Sequence, residues 1–295
     1  MDFDFSTEQK EIQHQARRML AECCDLRAVR RVLDDGLPWD EALWRQVAEL
    51  GWLGTAIPEA YGGLGLGGDT LAVIAEELGR ALAPLPVSSS IYLAAPCLLH
   101  AGGEAQRREW LPALASGERI ATLAAAEGLV GVGDIARHAT QVKSGRLSGV
   151  KQPVPDGMLA HWAVVTAQDE AQRPGLYFVD LNAPGVAREP LASVDPTRPM
   201  ARIAFDGAPA QRLEGGDDAP AVLCRVLDEA AVWVAFEQVG GADAALALSA
   251  DYARIRHAFG RPIGSFQGIK HKLADMYVRN QLARANACCG AWALT

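Results

Sequence analysis

Arg256, Phe259 and Gln267 bring a fixed charge, an aromatic plane and an amide into one short run between Tyr252 and Met276. The run ends one helix, turns at Gly260-Arg261-Pro262 and starts another helix at Ser265. Arg256 falls in the last turn of the first helix, where a cation is favoured by the helix dipole and a planar guanidinium suits a phosphate. Phe259 adds a flat apolar face, and Gln267, in the first turn of the next helix, offers both a donor and an acceptor. Together they could hold a pyrophosphate and a ring system. The competing reading is a helical hairpin whose Phe, Ile and Leu residues are plain core. A second candidate is Glu237, in Ala235-Phe-Glu-Gln-Val-Gly-Gly241. An ionisable group in so apolar a helix must find a partner, such as an Arg of a helical bundle, or serve in proton transfer.

Helices come first among the elements that must position these groups. Ser6-Thr-Glu-Gln9 has the form of a capping box, and helical spacing follows to Cys24. A second helix fits Trp39 to Leu50, stopped by Gly51. Ile57 to Gly68 is glycine-rich but lacks phosphate-loop spacing and follows no strand, so it reads as a connection between helices. Asp69-Thr70 caps a helix to Leu82, and two more fit Ser88 to His100 and Glu104 to Leu114. Near Arg119 the pattern changes to short runs rich in Val, Ile and Thr. The expected strands are Ile120–Ala125, Ala139–Lys143, Arg146–Val150, Trp162–Ala167, Gly175–Val179 and Arg202–Phe205. Pro220 then opens a long helix reaching Ala258. The fold class is therefore α+β: an N-terminal helical domain (residues 1–118), a central β domain of barrel or sandwich type (119–214), and a C-terminal helical bundle (215–295) that is incomplete.

Composition narrows the possibilities. At 49% hydrophobic content the chain buries a sizeable core. A net charge of −8 excludes a general polyanion-binding surface, so no nucleic-acid partner is expected. No apolar run approaches the ~20 residues of a membrane span. The first residues lack the basic-then-apolar order of a signal peptide, and the cytoplasm is the expected location. Neither Cys23-Cys24 nor Cys288-Cys289 has zinc-site spacing, so reduced thiols and no metal are expected.

The order Tyr-Ala-x-x-Arg-x-x-Phe-Gly-x-Pro-Ile-x-x-Phe-Gln-x-Ile-x-His-x-Leu-Ala-Asp-Met, read from Tyr252, resembles the signature of the acyl-CoA dehydrogenase family. The loop Pro58-Glu-Ala-Tyr-Gly-Gly-Leu-Gly65 and the order helices, strands, helices are similar to that family too. The resemblance implies FAD as cofactor, an acyl-CoA substrate, and removal of hydrogen from its α and β carbons. It also implies that Arg256, Phe259, Ile263 and Gln267 reach the FAD of a neighbouring subunit.

The base that takes the α proton is less well placed. Most members carry a Glu in a later part of the chain that lies beyond Thr295. A smaller set carries it on the long helix, at a position matching Ala230; Glu229 is about 100° off that face, whereas Glu237 lies two turns along nearly the same face. Glu237 is thus the catalytic candidate. In the β domain, the family's Thr-Glu-Pro-x-x-Gly-Ser-Asp is replaced by Ala126-Glu-Gly-Leu-Val-Gly-Val-Gly-Asp134, and its Trp-x-Thr by Pro153-Val-Pro155. The prolines lack an N–H and none of the three residues has a hydroxyl, which weakens both contacts to the chain's own flavin. An intact cross-subunit motif beside an altered flavin edge implies a hetero-oligomer of homologous subunits, resembling bacterial members that act on steroid side-chain CoA esters. The alternatives are a non-catalytic scaffold subunit, or a homo-oligomeric enzyme whose C-terminal helices are missing, since Ala291 to Thr295 carries no helix stop signal.

Overall fold

The structure is a computed structural model describing residues 5–294. Met1–Asp4 and Thr295, on which the leader and chain-end expectations rest, lie outside the described residues. Helix α1 (Thr7–Cys23) begins with the expected capping box, in which Ser6 Oγ accepts from the Gln9 amide and the Gln9 side chain accepts from the Ser6 amide. Helix α2 (Leu26–Asp34) is a finding beyond the sequence reading; Asp25 caps it through the Ala28 amide, and Ala28, Val29 and Val32 are its buried face. Helix α3 (Glu41–Glu49) is capped by Asp40. Helix α4 (Gly67–Ala81) starts two residues before the expected cap, which places Asp69 inside its first turn. Ser88–Ala94 forms a π-helical turn rather than the start of a regular helix, and runs directly into α5 (Ala95–Ala101); α6 (Glu104–Ala115) follows.

Strands β1 (Ala121–Ala124), β2 (Gln141–Lys143), β3 (Arg146–Pro155), β4 (Trp162–Gln168), β5 (Pro174–Asp180), β6 (Val186–Leu191), β7 (Met200–Pro209) and β8 (Gln211–Arg212) form one mixed sheet, ordered β6-β7-β3-β2-β4-β5-β8 with β1 parallel to β4. Both β6 and β8 escaped the sequence reading. They are edge strands whose residues face solvent or are half-buried, so no alternation marks them. Helix α7 (Ala219–Ile255) is followed by a two-stranded hairpin of β9 (His257–Ala258) and β10 (Arg261–Pro262), and by α8 (Gln267–Ala293). The order helices, mixed sheet, helices is that of the α+β class read from the sequence. Among the described residues no helix is long and apolar enough to cross a membrane.

Two compact units emerge. One comprises residues 1–30, 68–83 and 231–295. In it, Gly79 of α4 and Gly240 of α7 let the two backbones meet: a β-carbon on Gly240 would lie 1.9 Å from the Glu76 carbonyl oxygen. Buried carboxylates of Glu76 and Glu77 are neutralised across helices. Arg17 grips Glu77 with two bonds of 2.7 and 2.9 Å, and Arg284 of α8 grips Glu76 likewise while also reaching Asp243 at 2.6 Å. That network fastens α8, of which only Ala287 and Ala291 are fully buried.

The other unit comprises residues 31–67 and 84–230 and contains the sheet. Its core joins Leu98, Leu111 and Leu114 to Leu123, Val164, Leu176, Leu223 and Val226. Trp110 stacks on Phe178, with centroids 3.7 Å apart.

Candidate functional site

The hairpin between α7 and α8 is tightly built. The Ile263 amide donates to the Arg256 carbonyl (2.7 Å), Phe259 meets Phe266 edge-on at 6.2 Å, and the Arg261 guanidinium lies 4.2 Å over the Phe266 ring. The tip is strained: Phe259 has φ +54°, in the left-handed region that favours glycine, and its side chain is 96% exposed. A large aromatic so displayed buries almost none of its surface in its own chain, which it touches at the Phe266 edge. Ala258, Phe259, Ile263, Phe266, Gly268, Ile269 and Lys272 line a hollow of about 370 Å³.

Arg256 and Gln267 are exposed, and among the described residues no hydrogen bond or ion pair engages either side chain. The hairpin therefore brings together Phe259 and Ile263 at one hollow and leaves Arg256 and Gln267 free to meet a ligand. A freely available guanidinium beside an exposed aromatic plane fits a phosphate and a ring. On this side the residues present fit FAD.

Glu237 is half-buried on α7, and its backbone is held where Gly79 makes its closest approach. Glu229 is committed elsewhere: His100 Nε2 lies 2.9 Å from both its carboxylate oxygens, and Arg225 donates at 3.0 Å. Burial pushes its pKa up, but the bonds from His100 and Arg225 outweigh this and hold it below the ordinary range.

Sequence reasoning missed a buried cluster that joins β3 to the loop 126–134. Lys151, on β3 and fully buried, donates to Glu127 (2.7 Å), Thr166 Oγ1 (2.9 Å) and the Ala125 carbonyl (3.3 Å). Glu127 also accepts from the Ala139 and Thr140 amides. Burial raises the Glu127 pKa, but Lys151 and these donors drive it down to about 2; burial lowers Lys151 to about 8 despite Glu127. The loop 126–134 is thus tied back onto its own sheet. Its carboxylate is spent, and Pro153 and Pro155 donate nothing. On this side the residues do not fit an isoalloxazine. The signal in the sequence was a lysine next to an expected strand that ended at Val150; the structure extends that strand to Pro155 and turns Lys151 inward, where it needs a carboxylate.

Comparison with known proteins agrees with the hairpin motif. The family model described as acyl-CoA dehydrogenase, N-terminal domain, matches residues 6–118, and that for the acyl-CoA dehydrogenase C-terminal domain matches residues 221–295. The chain belongs to the acyl-CoA dehydrogenase family. Acyl-CoA dehydrogenase IpdE2 of Mycobacterium tuberculosis is 33% identical over 259 residues, covering 88% of this chain and 67% of that relative. Among solved structures, a variant of the Tcur3481–Tcur3483 steroid ACAD is 36% identical with a TM-score of 0.83, covering 96% of this chain and 78% of that one. The ChsE4–ChsE5 complex of Mycobacterium tuberculosis is 28% identical with a TM-score of 0.88, covering 99% and 79%.

Proposed function

We propose that this chain is one subunit of an FAD-dependent acyl-CoA dehydrogenase, assembled in the cytoplasm with a homologous subunit. Its role there is to lend Arg256, Phe259, Ile263 and Gln267 to the flavin held by that partner. The observation that carries the reading is the contrast between two parts of one chain: Arg256 and Gln267, exposed and unengaged on the hairpin, and a stretch of β3 where Lys151 holds Glu127 and Pro153 and Pro155 offer no backbone donor. The likeness to the steroid ACAD and to a two-protein complex supports a heteromer and a bulky CoA ester as substrate.

FAD, when bound, supplies the acceptor for the hydride that leaves the β carbon. This chain's residues complete that site. Arg256 would supply the charge for a phosphate, Phe259 and Ile263 the apolar faces that exclude water, and Gln267 a donor and an acceptor for the cofactor. Glu237, half-buried in an apolar stretch, takes the α proton. Division into a helical domain to residue 118, a β domain to 214 and a second helical domain from 215 belongs to the same reading.

Purifying the chain alone and together with a co-encoded homologous chain, then recording flavin absorbance, tests the assembly. Flavin is expected only in the pair; stoichiometric FAD in the lone chain would sink the proposal. A second reading, a scaffold subunit that completes the partner's site without chemistry, is favoured by the same closed stretch of β3. Glu237→Gln in the assembled pair separates the two: loss of turnover supports Glu237 as base, and full turnover assigns the chain the scaffold role.

A further inference from the structure

Asp156 follows the last residue of β3, Pro155, is almost wholly buried, and takes no part in the function proposed above. Its carboxylate Oδ2 lies 2.6 Å from the hydroxyl of Ser89, itself fully buried in the π-helical turn. The same hydroxyl lies 3.1 Å from the Pro86 carbonyl at the entry to that turn. Ser89 thus has one proton to donate and two acceptors within reach.

With Asp156 ionised, the hydroxyl must turn to the carboxylate, because a buried charge needs its donor more than a carbonyl does. The Pro86 carbonyl then keeps only the Ser90 amide, 3.2 Å away. With Asp156 protonated, its own O–H can donate to Ser89 Oγ, and Ser89 is released to bond Pro86. The second bond to the Pro86 carbonyl, from the Ser89 hydroxyl, is made only in the protonated arrangement.

Neighbouring contacts hold the geometry on both sides. Arg198, from the segment before β7, donates to Ser88 Oγ at 3.0 Å and is the charge whose field favours ionised Asp156. The Ala121 amide of β1 donates to Ser90 Oγ, Thr122 Oγ1 donates to the Pro155 carbonyl at 2.6 Å, and the Asp156 amide donates to the Pro199 carbonyl at 2.8 Å. Burial outweighs both the Ser89 bond and Arg198, and pushes Asp156 up to about 6.

The geometry points to Asp156, Ser89 and Pro86 acting as a proton-driven relay, in which gain or loss of a proton at the end of β3 switches the hydrogen bonding at the entry of the π-helical turn. The step is a simple protonation: Asp156 releases its proton to solvent, and the Ser89 hydroxyl rotates from the Pro86 carbonyl to the new carboxylate.

Carbon-13 NMR of the full chain, labelled at Asp and Pro, tests it. The Asp156 carboxyl is expected to titrate near pH 6, and the Pro86 carbonyl resonance to move with the same midpoint. In Ser89→Ala the Pro86 response should vanish while Asp156 titrates at higher pH, having lost the donor that favours its charge. In Asp156→Asn the Pro86 resonance should be flat across the range. An Asp156 midpoint at or below 4.5, or a Pro86 carbonyl that ignores the Asp156 titration, overturns the relay.

Discussion

Gly79 stands so close to Glu237 that a β-carbon at position 79 would lie 2.0 Å from the Glu237 carbonyl oxygen and 2.4 Å from its Cα. The reciprocal approach of Gly240 to Glu76 makes this a two-glycine crossing of α4 and α7. Backbone, unlike the tip of a flexible side chain, cannot step aside. Gly79→Ala or Gly240→Ala should therefore destabilise the chain by at least the ~1–3 kcal/mol of an overpacked core. Denaturant melts would show it; a change below about 0.5 kcal/mol would mean the helices separate without cost.

Arg284 is the cationic clamp between α8 and the buried Glu76. Arg284→Met leaves Glu76 desolvated with Arg80, at 3.2 Å, as its remaining cation. A loss of roughly 3 kcal/mol is expected, as for other buried pairs deprived of one partner. The double variant with Glu76→Gln should recover part of it, because the stranded charge is gone. Additive losses in urea melts would argue against a coupled pair.

The Glu127–Lys151 pair sets an acid limit. Glu127 falls to about 2 from a model-peptide value of 4.5. A depressed carboxylate pKa gives stability that is present above 4.5 and lost as pH falls through about 2, so the loss spans that window. Wild type should shed on the order of 2–3 kcal/mol between those limits from this group, and Glu127→Gln should be less stable at neutral pH and flatter across the window. Melting temperatures at stepped pH check this; parallel curves for the two proteins would contradict it.

Phe259 should separate folding from assembly. Phe259→Gly relieves the left-handed strain at the hairpin tip and should leave the isolated chain unchanged or more stable by up to about 1 kcal/mol. The same change should cut flavin retention in the assembled pair by tenfold or more. Arg256→Ala should behave alike, with stability kept within about 0.5 kcal/mol as for a typical surface change. Flavin content measured beside chain melts tests both, and retained flavin would remove these residues from the cofactor's surroundings.

Local signals were legible and distant ones were not. Ser6 and Gln9 announced α1 because each caps the other three residues away, and the run from Tyr252 to Met276 announced the hairpin because its parts are neighbours in sequence. Strand β6, where Glu189 and Pro190 are exposed and the half-buried Arg188 is itself charged, had no apolar alternation to read. The regular helix expected at Ser88 gave way to a π turn whose three serines are each held by a different part of the fold, at Arg198, Asp156 and Ala121. Such partners lie far along the chain, and only folding brings them together. For the same reason the pairing of Glu127 with Lys151 had no local mark in the sequence, and the Glu237 surroundings could not be read from its helix alone.

The hairpin at Phe259 also bears on kinetics. Its backbone bond from Ile263 to Arg256, the paired β9 and β10, and the stacking of Arg261 on Phe266 fix its shape before any encounter. The ordering entropy of the hairpin backbone is spent during folding, not during docking. Whatever lands on this surface meets a rigid die instead of a loop that must search for its form. Recognition should then proceed as the fitting of two finished shapes, its speed set by orientation and charge.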